Sequence, residues 1–187
     1  MILKNLLFFC LLTLPFLSKG APTSSTKQGP IPLDPIAHGI GRWVPDLSFT
    51  AIDGREGKFS DFKHKKALVV AFIGATCPLS KKFASSLGSL EKTYATKNIA
   101  FLFVDPIATK KAKENLKRMV HDHGFRGPVI LDLNKDLAVG LGAKSTTDIF
   151  VLDSARTLLY RGPVNDQYGI GYQLAAPRGN LLRNALN

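Results

Sequence analysis

The chain has 187 residues, 45% of them apolar and 21% charged, with a formal charge of +11 at neutral pH. That length suits one core-forming domain with extensions. The lysines fall in short scattered groups (Lys63, Lys65 and Lys66; Lys81 and Lys82; Lys110, Lys111 and Lys113) without interleaved aromatic residues, so the charge reads as solvated surface and no nucleic-acid partner is expected.

Lys4 provides a positive start to an apolar run from Ile2 to Leu17, broken near its beginning by Lys4 and Asn5. Ser18 and Gly20 then stand at the −3 and −1 positions of a cleavage before Ala21. The run is short of the roughly 20 residues needed to span a hydrocarbon core. Residues 1–20 therefore predict a cleaved signal peptide, an exported protein (periplasmic or extracellular) and no stable membrane insertion after cleavage. Loss of Lys4 and Lys19 takes the formal charge from +11 to +9. Cys10 leaves with the signal, so Cys77 is the sole thiol of the mature chain and has no intramolecular disulfide partner. Residues 21–42, with Pro22, Pro30, Pro32 and Pro35, read as a flexible linker, and a domain is expected over 43–187.

Within that domain strands and helices alternate. Leu47–Thr50 and Lys58-Phe59 flank the turn dipeptide Asp53-Gly54 and predict a hairpin. Ala67–Ile73 is a continuous apolar run, the pattern of a strand buried on both faces of a sheet. Leu79, Phe83, Leu87, Leu90 and Tyr94 recur at helical spacing. Ile99–Val104 predicts a second buried strand. Ala112, Leu116, Met119 and Val120 predict a second helix that stops at Gly124. Val129–Leu131 then predicts a short strand and Asp136–Leu141 a short helix. Ile149–Leu152 and Thr157–Tyr160 predict an antiparallel pair, and Arg178–Leu186 a last helix. The expected class is α/β, a central mixed sheet with helices on both faces and an N-terminal β-hairpin extension.

Reactive groups in such sheets favour the C-terminal ends of strands, and Cys77 falls there, between the first buried strand and the first long helix. Pro78 suits the first helical turn, which places Cys77 at the N-cap. Free N–H groups and the positive dipole end stabilise a thiolate over a thiol, and Lys81 and Lys82 add positive charge. Thr76 adjoins the cysteine as a second catalytic candidate, with Pro78, Ser80, Thr147 and Arg161 as helix-start and substrate-rim candidates. His121-Asp122-His123 is a poor ligand set at a helix end, so no metal is expected, and no cofactor either. Tyr168 and Tyr172, with Gly169 and Gly171 between them, suggest either a flap over the site or packing of the tail.

These motifs together resemble the redoxin branch of the thioredoxin-like superfamily, which includes the alkyl hydroperoxide reductase and thiol-specific antioxidant type. Phe49–Gly54 and Phe59–Lys63 are similar to its opening hairpin, Thr76–Lys82 to its active-site segment, and Phe150–Asp153 with Tyr160–Gly162 to its closing hairpin. The resemblance implies a thioredoxin-like fold and thiol chemistry, with an external thiol or disulfide protein as redox partner and a peroxide as a further substrate. The chain departs from the pattern at three places. Ser80 stands where a dithiol enzyme has its second cysteine, Gly74 where a peroxiredoxin has a threonine, and Ser145-Thr146-Thr147-Asp148 where the superfamily has a proline facing the thiol. Two readings stay open: a single-cysteine oxidoreductase or antioxidant enzyme, and a thioredoxin-fold docking module in which Cys77 holds a partner or only packs.

Overall fold

The computed structural model describes residues 34–187 apart from 108, 110 and 170. The expected signal peptide, Cys10 and the expected linker up to residue 33 lie outside the described residues. The elements are β1 (Ser48–Thr50), β2 (Glu56–Lys58), a 3-10 turn (Phe59–Phe62), β3 (Ala67–Phe72), α1 (Pro78–Ala95), β4 (Ile99–Asp105), α2 (Ala112–His123), β5 (Val129–Leu131), α3 (Asp136–Leu141), β6 (Ile149–Asp153), β7 (Leu158–Gly162), β8 (Tyr168–Gly169), β9 (Tyr172–Gln173) and α4 (Leu181–Ala185). Among them no helix is long and apolar enough to cross a membrane.

Five strands form the central sheet in the order β5-β4-β3-β6-β7. β3 pairs in parallel with β4 and antiparallel with β6, so it lies at the centre with all six residues buried. Its apolar run is continuous because both faces are covered. On one face Val69, Ala71, Phe101, Phe103, Ile149 and Val151 meet Phe83, Leu87 and Leu90 of α1, Leu116 and Met119 of α2 and Leu182 of α4. The alternate residues Leu68, Val70, Phe72, Leu102, Val104, Phe150 and Leu152 face the other way. They pack on Leu137 and Leu141 of α3 and on Val44, Phe49 and Phe59. Helices therefore cover both faces of a mixed sheet.

The N-terminal segment closes the second face. Trp43 bridges Thr157 beside β7, and Ala51 bridges Ile130 in β5, so residues 43–51 cross from one sheet edge to the other and cover both. Just before this, Gly41 donates to the Leu158 carbonyl at 2.8 Å. The Arg42 guanidinium donates to the Gly140 and Leu141 carbonyls at the end of α3 at 3.4 and 2.7 Å, filling acceptors that a helix end leaves open.

Several elements differ from expectation. The second strand of the opening hairpin is Glu56–Lys58, and Phe59 already starts the 3-10 turn. β7 runs on to Gly162, because its pairing with β6 continues to Ile149. The last helix starts at Leu181, not Arg178. The Asp166 carboxylate takes the Arg178 and Gly179 N–H groups at 2.8 Å each and holds that backbone out of the helix. Tyr168 to Gln173 forms a two-stranded ribbon, β8 with β9, too short to leave an alternating pattern in sequence.

Candidate active site

β3 ends at Phe72, and the chain turns through Gly74, whose carbonyl accepts the Cys77 N–H at 2.9 Å. Cys77 is the N-cap of α1, with extended backbone (φ −77°, ψ 121°), and Pro78 opens the helix. Proline has no N–H to lose at that position. The Leu79 and Ser80 N–H groups then face the half-buried thiol, and Lys81 donates to the Cys77 carbonyl at 3.1 Å.

Three loops converge on Gly74. A side chain there would place its Cβ 2.9 Å from Ile107 Cδ1, 3.1 Å from Cys77 Cβ and 3.3 Å from Thr146 Cγ2. This packing brings Cys77 and Thr146 to one spot. A side chain at this position, where peroxiredoxins carry a threonine, would have to displace the Ile107 side chain and press on Cys77 and Thr146.

Ser80 is 1% exposed, so it does not line a substrate rim as expected from its place in the motif. Its hydroxyl accepts the Gly74 N–H at 3.0 Å and donates to the Thr146 carbonyl at 2.6 Å. The residue that replaces a second cysteine is thus a strut between the Cys77 loop and the loop facing it. Asp105, at the end of β4, is a second strut. Its buried carboxylate accepts the Ala75 N–H at 3.0 Å and the Ile107 N–H at 2.8 Å. Burial pushes the Asp105 pKa up, and the two N–H bonds only partly offset this. Sequence reading missed Asp105, although a carboxylate closing an apolar strand and followed by Pro106 was a usable signal.

Burial also pushes the Cys77 thiol up, but the surrounding donors outweigh it. The Thr146 hydroxyl, the Ser80 N–H and hydroxyl, and the Leu79 N–H together hold the thiol below its ordinary value. The Ser80 proton is already directed at the Thr146 carbonyl, so the Thr146 hydroxyl and the two helix N–H groups are the donors free to strengthen as sulfur gains charge.

The remaining expected residues take other parts. Thr76 is exposed beside Cys77, and its hydroxyl makes no hydrogen bond among the described residues. The Thr147 hydroxyl lies 3.1 Å from Ser145 Oγ within its own loop, so Thr146 takes the role expected of its neighbours. Arg161 is half-buried and engaged within the fold. It donates to the Gly142 carbonyl at 2.7 Å and to Asp148 at 3.3 Å, and lies over the Phe150 ring. Asp148 in turn accepts the Lys144 N–H and the Ser145 hydroxyl, so Arg161 braces the loop that carries Thr146. Pro78 is exposed at the helix start. The β8–β9 ribbon docks on α1. Tyr168 packs edge-on against Phe83, and Lys82 Nζ reaches Gln173 at 2.7 Å and lies over the Tyr168 ring. Of the candidate metal ligands, His121 pairs with exposed Asp122 and His123 with Ser85 Oγ.

An accessible thiol at the start of the helix after the central strand, faced by a loop from the antiparallel side of the sheet, defines a thioredoxin-like domain. The chain belongs to the redoxin family, whose model matches residues 40–170. Among solved structures, a hypothetical protein from Sinorhizobium meliloti is 26% identical. The match covers 73% of this chain and 77% of that one, with a TM-score of 0.66. The peroxidoxin BcpB from Mycobacterium tuberculosis is 18% identical over 79% of this chain and 94% of its own, with a TM-score of 0.60. The thioredoxin domain of a thiol-disulfide oxidoreductase from Bacteroides vulgatus is 17% identical over 65% and 86%, with a TM-score of 0.55. The last two show the shared fold. No curated protein sequence matches the chain. Family and fold together support a redox function.

Proposed function

We propose that this redoxin acts outside the cytoplasm as a monothiol in thiol–disulfide exchange, with Cys77 as the catalytic nucleophile. The observation that carries the reading is the setting of Cys77: an accessible N-cap sulfur whose donors hold it below the ordinary thiol range, with a buried hydroxyl in place of a second thiol. The Cys77 thiolate attacks one sulfur of a disulfide. A new S–S bond forms as the old one breaks, and one thiolate leaves. A second, external thiolate then attacks the mixed disulfide at the partner's sulfur, forming a new disulfide and returning Cys77 as thiolate. The partner is therefore a thiol or disulfide protein or a small thiol, supplied from outside the chain.

A peroxide would instead transfer one oxygen to the sulfur, giving a sulfenic acid and an alcohol or water. Gly74 stands where a peroxiredoxin carries the threonine of its peroxide site, and that missing hydroxyl favours disulfide exchange over this route.

The test exposes purified mature protein to oxidised glutathione and follows it by non-reducing electrophoresis and mass spectrometry. Wild type should form one stable adduct, released only by added thiol, and Cys77→Ser should form none. Ser80→Cys should discharge the adduct into its own disulfide, since the two side chains stand one helical turn apart. A wild-type thiol inert to both disulfide and peroxide would overturn the enzymatic reading in favour of a docking module. For export, the secreted protein should begin near Ala21. An intact Met1 confined to the cytosol would refute that location.

A further inference from the structure

Beside the Cys77 loop, α1 and α2 enclose a cleft of about 380 Å³. Ala75 and the buried Met119 line its apolar part, and Lys81, Arg118 and His123 bring basic groups to its walls. Asp122 is the only carboxylate among the lining residues, and its Oδ1 lies 3.1 Å from His121 Nδ1. His123 uses Nδ1 with Ser85 Oγ, which leaves its other ring nitrogen. Among the described residues neither Lys81 nor Arg118 has an ion pair, and the closest polar partner of Arg118 is the Asn115 amide oxygen at 3.5 Å. This contrasts with the adjacent Lys82, which the β8–β9 ribbon already engages.

The cleft adjoins the Cys77 loop through Ala75 and the first turn of α1 through Lys81. Ala75 precedes Cys77 by two residues, and Lys81 is one helical turn beyond it. The exposed Thr76 is the only residue between Ala75 and Cys77, so the Cα atoms of those two residues are at most about 7 Å apart. That is the size of a cysteine-containing small molecule. Its own carboxylate is the anion that two unpaired cations would hold.

We infer that this cleft receives the carboxylate of a small thiol or disulfide that exchanges with Cys77. The inference rests on the thiol–disulfide exchange proposed above and gives that reaction a substrate class. The exchange itself is unchanged: the incoming thiolate attacks the partner's sulfur in the mixed disulfide, and Cys77 leaves as thiolate. The cations raise the local concentration of the anionic reagent and hold it next to the reacting bond.

Two disulfide probes of opposite character separate charge recognition from thiol reactivity. Dithionitrobenzoate carries two carboxylates, whereas dithiodipyridine is uncharged at neutral pH. The quantity read is the ratio of their rate constants with Cys77, so any change in thiolate fraction or in folding cancels. Arg118→Glu and Lys81→Glu should each lower the ratio about three- to ten-fold at low salt, and added salt should lower it in wild type, as expected for charges screened over about 10 Å at 0.1 M. Lys113→Glu changes the net charge equally from an exposed position on α2 outside the cleft, and should leave most of the ratio intact. An unchanged ratio in Arg118→Glu, with the uncharged probe still reacting, would overturn the carboxylate site alone. So would an equal loss in Lys113→Glu, which would mean a diffuse field. Failure of both probes to react in wild type would overturn the exchange reaction itself, and the site with it.

Discussion

At the C-terminal end of β4 the Asp105 carboxylate receives the N–H groups of Ala75 and Ile107. Toward the other end of the same strand the Glu91 carboxylate of α1 receives those of Arg126 and Gly127, at 3.0 and 2.6 Å. Both carboxylates are buried, and burial pushes both pKa values up against their N–H bonds. Each end also has a closely packed glycine, Gly74 against the Ile107, Cys77 and Thr146 side chains and Gly127 against the Phe101 carbonyl oxygen. The devices match, but only one end holds an accessible sulfur. A buried carboxylate with a raised pKa is therefore no evidence of catalysis by itself. Here it is a way to pin a loop against a sheet, and chemistry follows only where the pinned loop carries a nucleophile.

Substitutions at the two ends can break this comparison. The largest effect on stability is expected from Gly127→Ala. Its Cβ would come 2.1 Å from the Phe101 carbonyl oxygen, a backbone atom that cannot swing aside. A loss of about 3 kcal/mol, at the upper end of ordinary overpacking costs, should appear in urea denaturation. The pH midpoint of Cys77 alkylation should stay where it is.

Next come the paired variants Asp105→Asn and Glu91→Gln. An amide can accept one N–H but turns a donor toward the other, so each variant should lose about 1–3 kcal/mol. Only Asp105→Asn should also change the alkylation rate of Cys77, because only it loosens the Ala75 turn. Equal Cys77 kinetics in both variants would show that the two ends do not differ as described.

Thr146→Val keeps the shape of the side chain and removes one hydroxyl. The expected cost is at most about 1 kcal/mol of stability. The alkylation midpoint of Cys77 should move up, since a donor to the thiolate is gone. Thr147→Val should leave it unmoved, as that hydroxyl serves Ser145.

The smallest effects are in the pH dependence of stability, and they have opposite signs. Glu91 has a folded pKa raised by burial, so its contribution is full below the ordinary carboxyl range and is lost as pH rises through the raised value. Glu91→Gln should flatten that decline. Asp166 is lowered, first by the Gly179 N–H and then, against burial, by the Arg178 N–H. Its contribution is present above the ordinary carboxyl range and is lost as pH falls. Asp166→Asn should flatten the acid side of the curve, and reading both variants in one buffer series checks the signs together.

The order of elements and the position of the nucleophile were legible in the sequence because both are local properties. The apolar run Ala67–Ile73 specifies a doubly buried strand, helical spacing from Leu79 to Tyr94 specifies α1, and Cys77-Pro78 between them specifies a thiol at a helix start. The last helix starts at Leu181, later than the 178–186 spacing predicts, because a carboxylate twelve and thirteen residues upstream binds the Arg178 and Gly179 N–H groups. The surroundings of the sulfur were set by tertiary structure alone. Ser80 reaches across 66 residues to the Thr146 carbonyl, and Asp105 across 30 to Ala75. Those contacts exist because β3 lies between β4 and β6, which brings the loops after β3 and β4 and the loop before β6 to one end of the sheet. Whether Thr76, Thr146 or Thr147 faces the thiol is a question of loop direction, where no alternation rule applies. Whether Lys81 or Lys82 stays unpaired depends on where α2 and the β8–β9 ribbon dock, and no spacing within α1 encodes that.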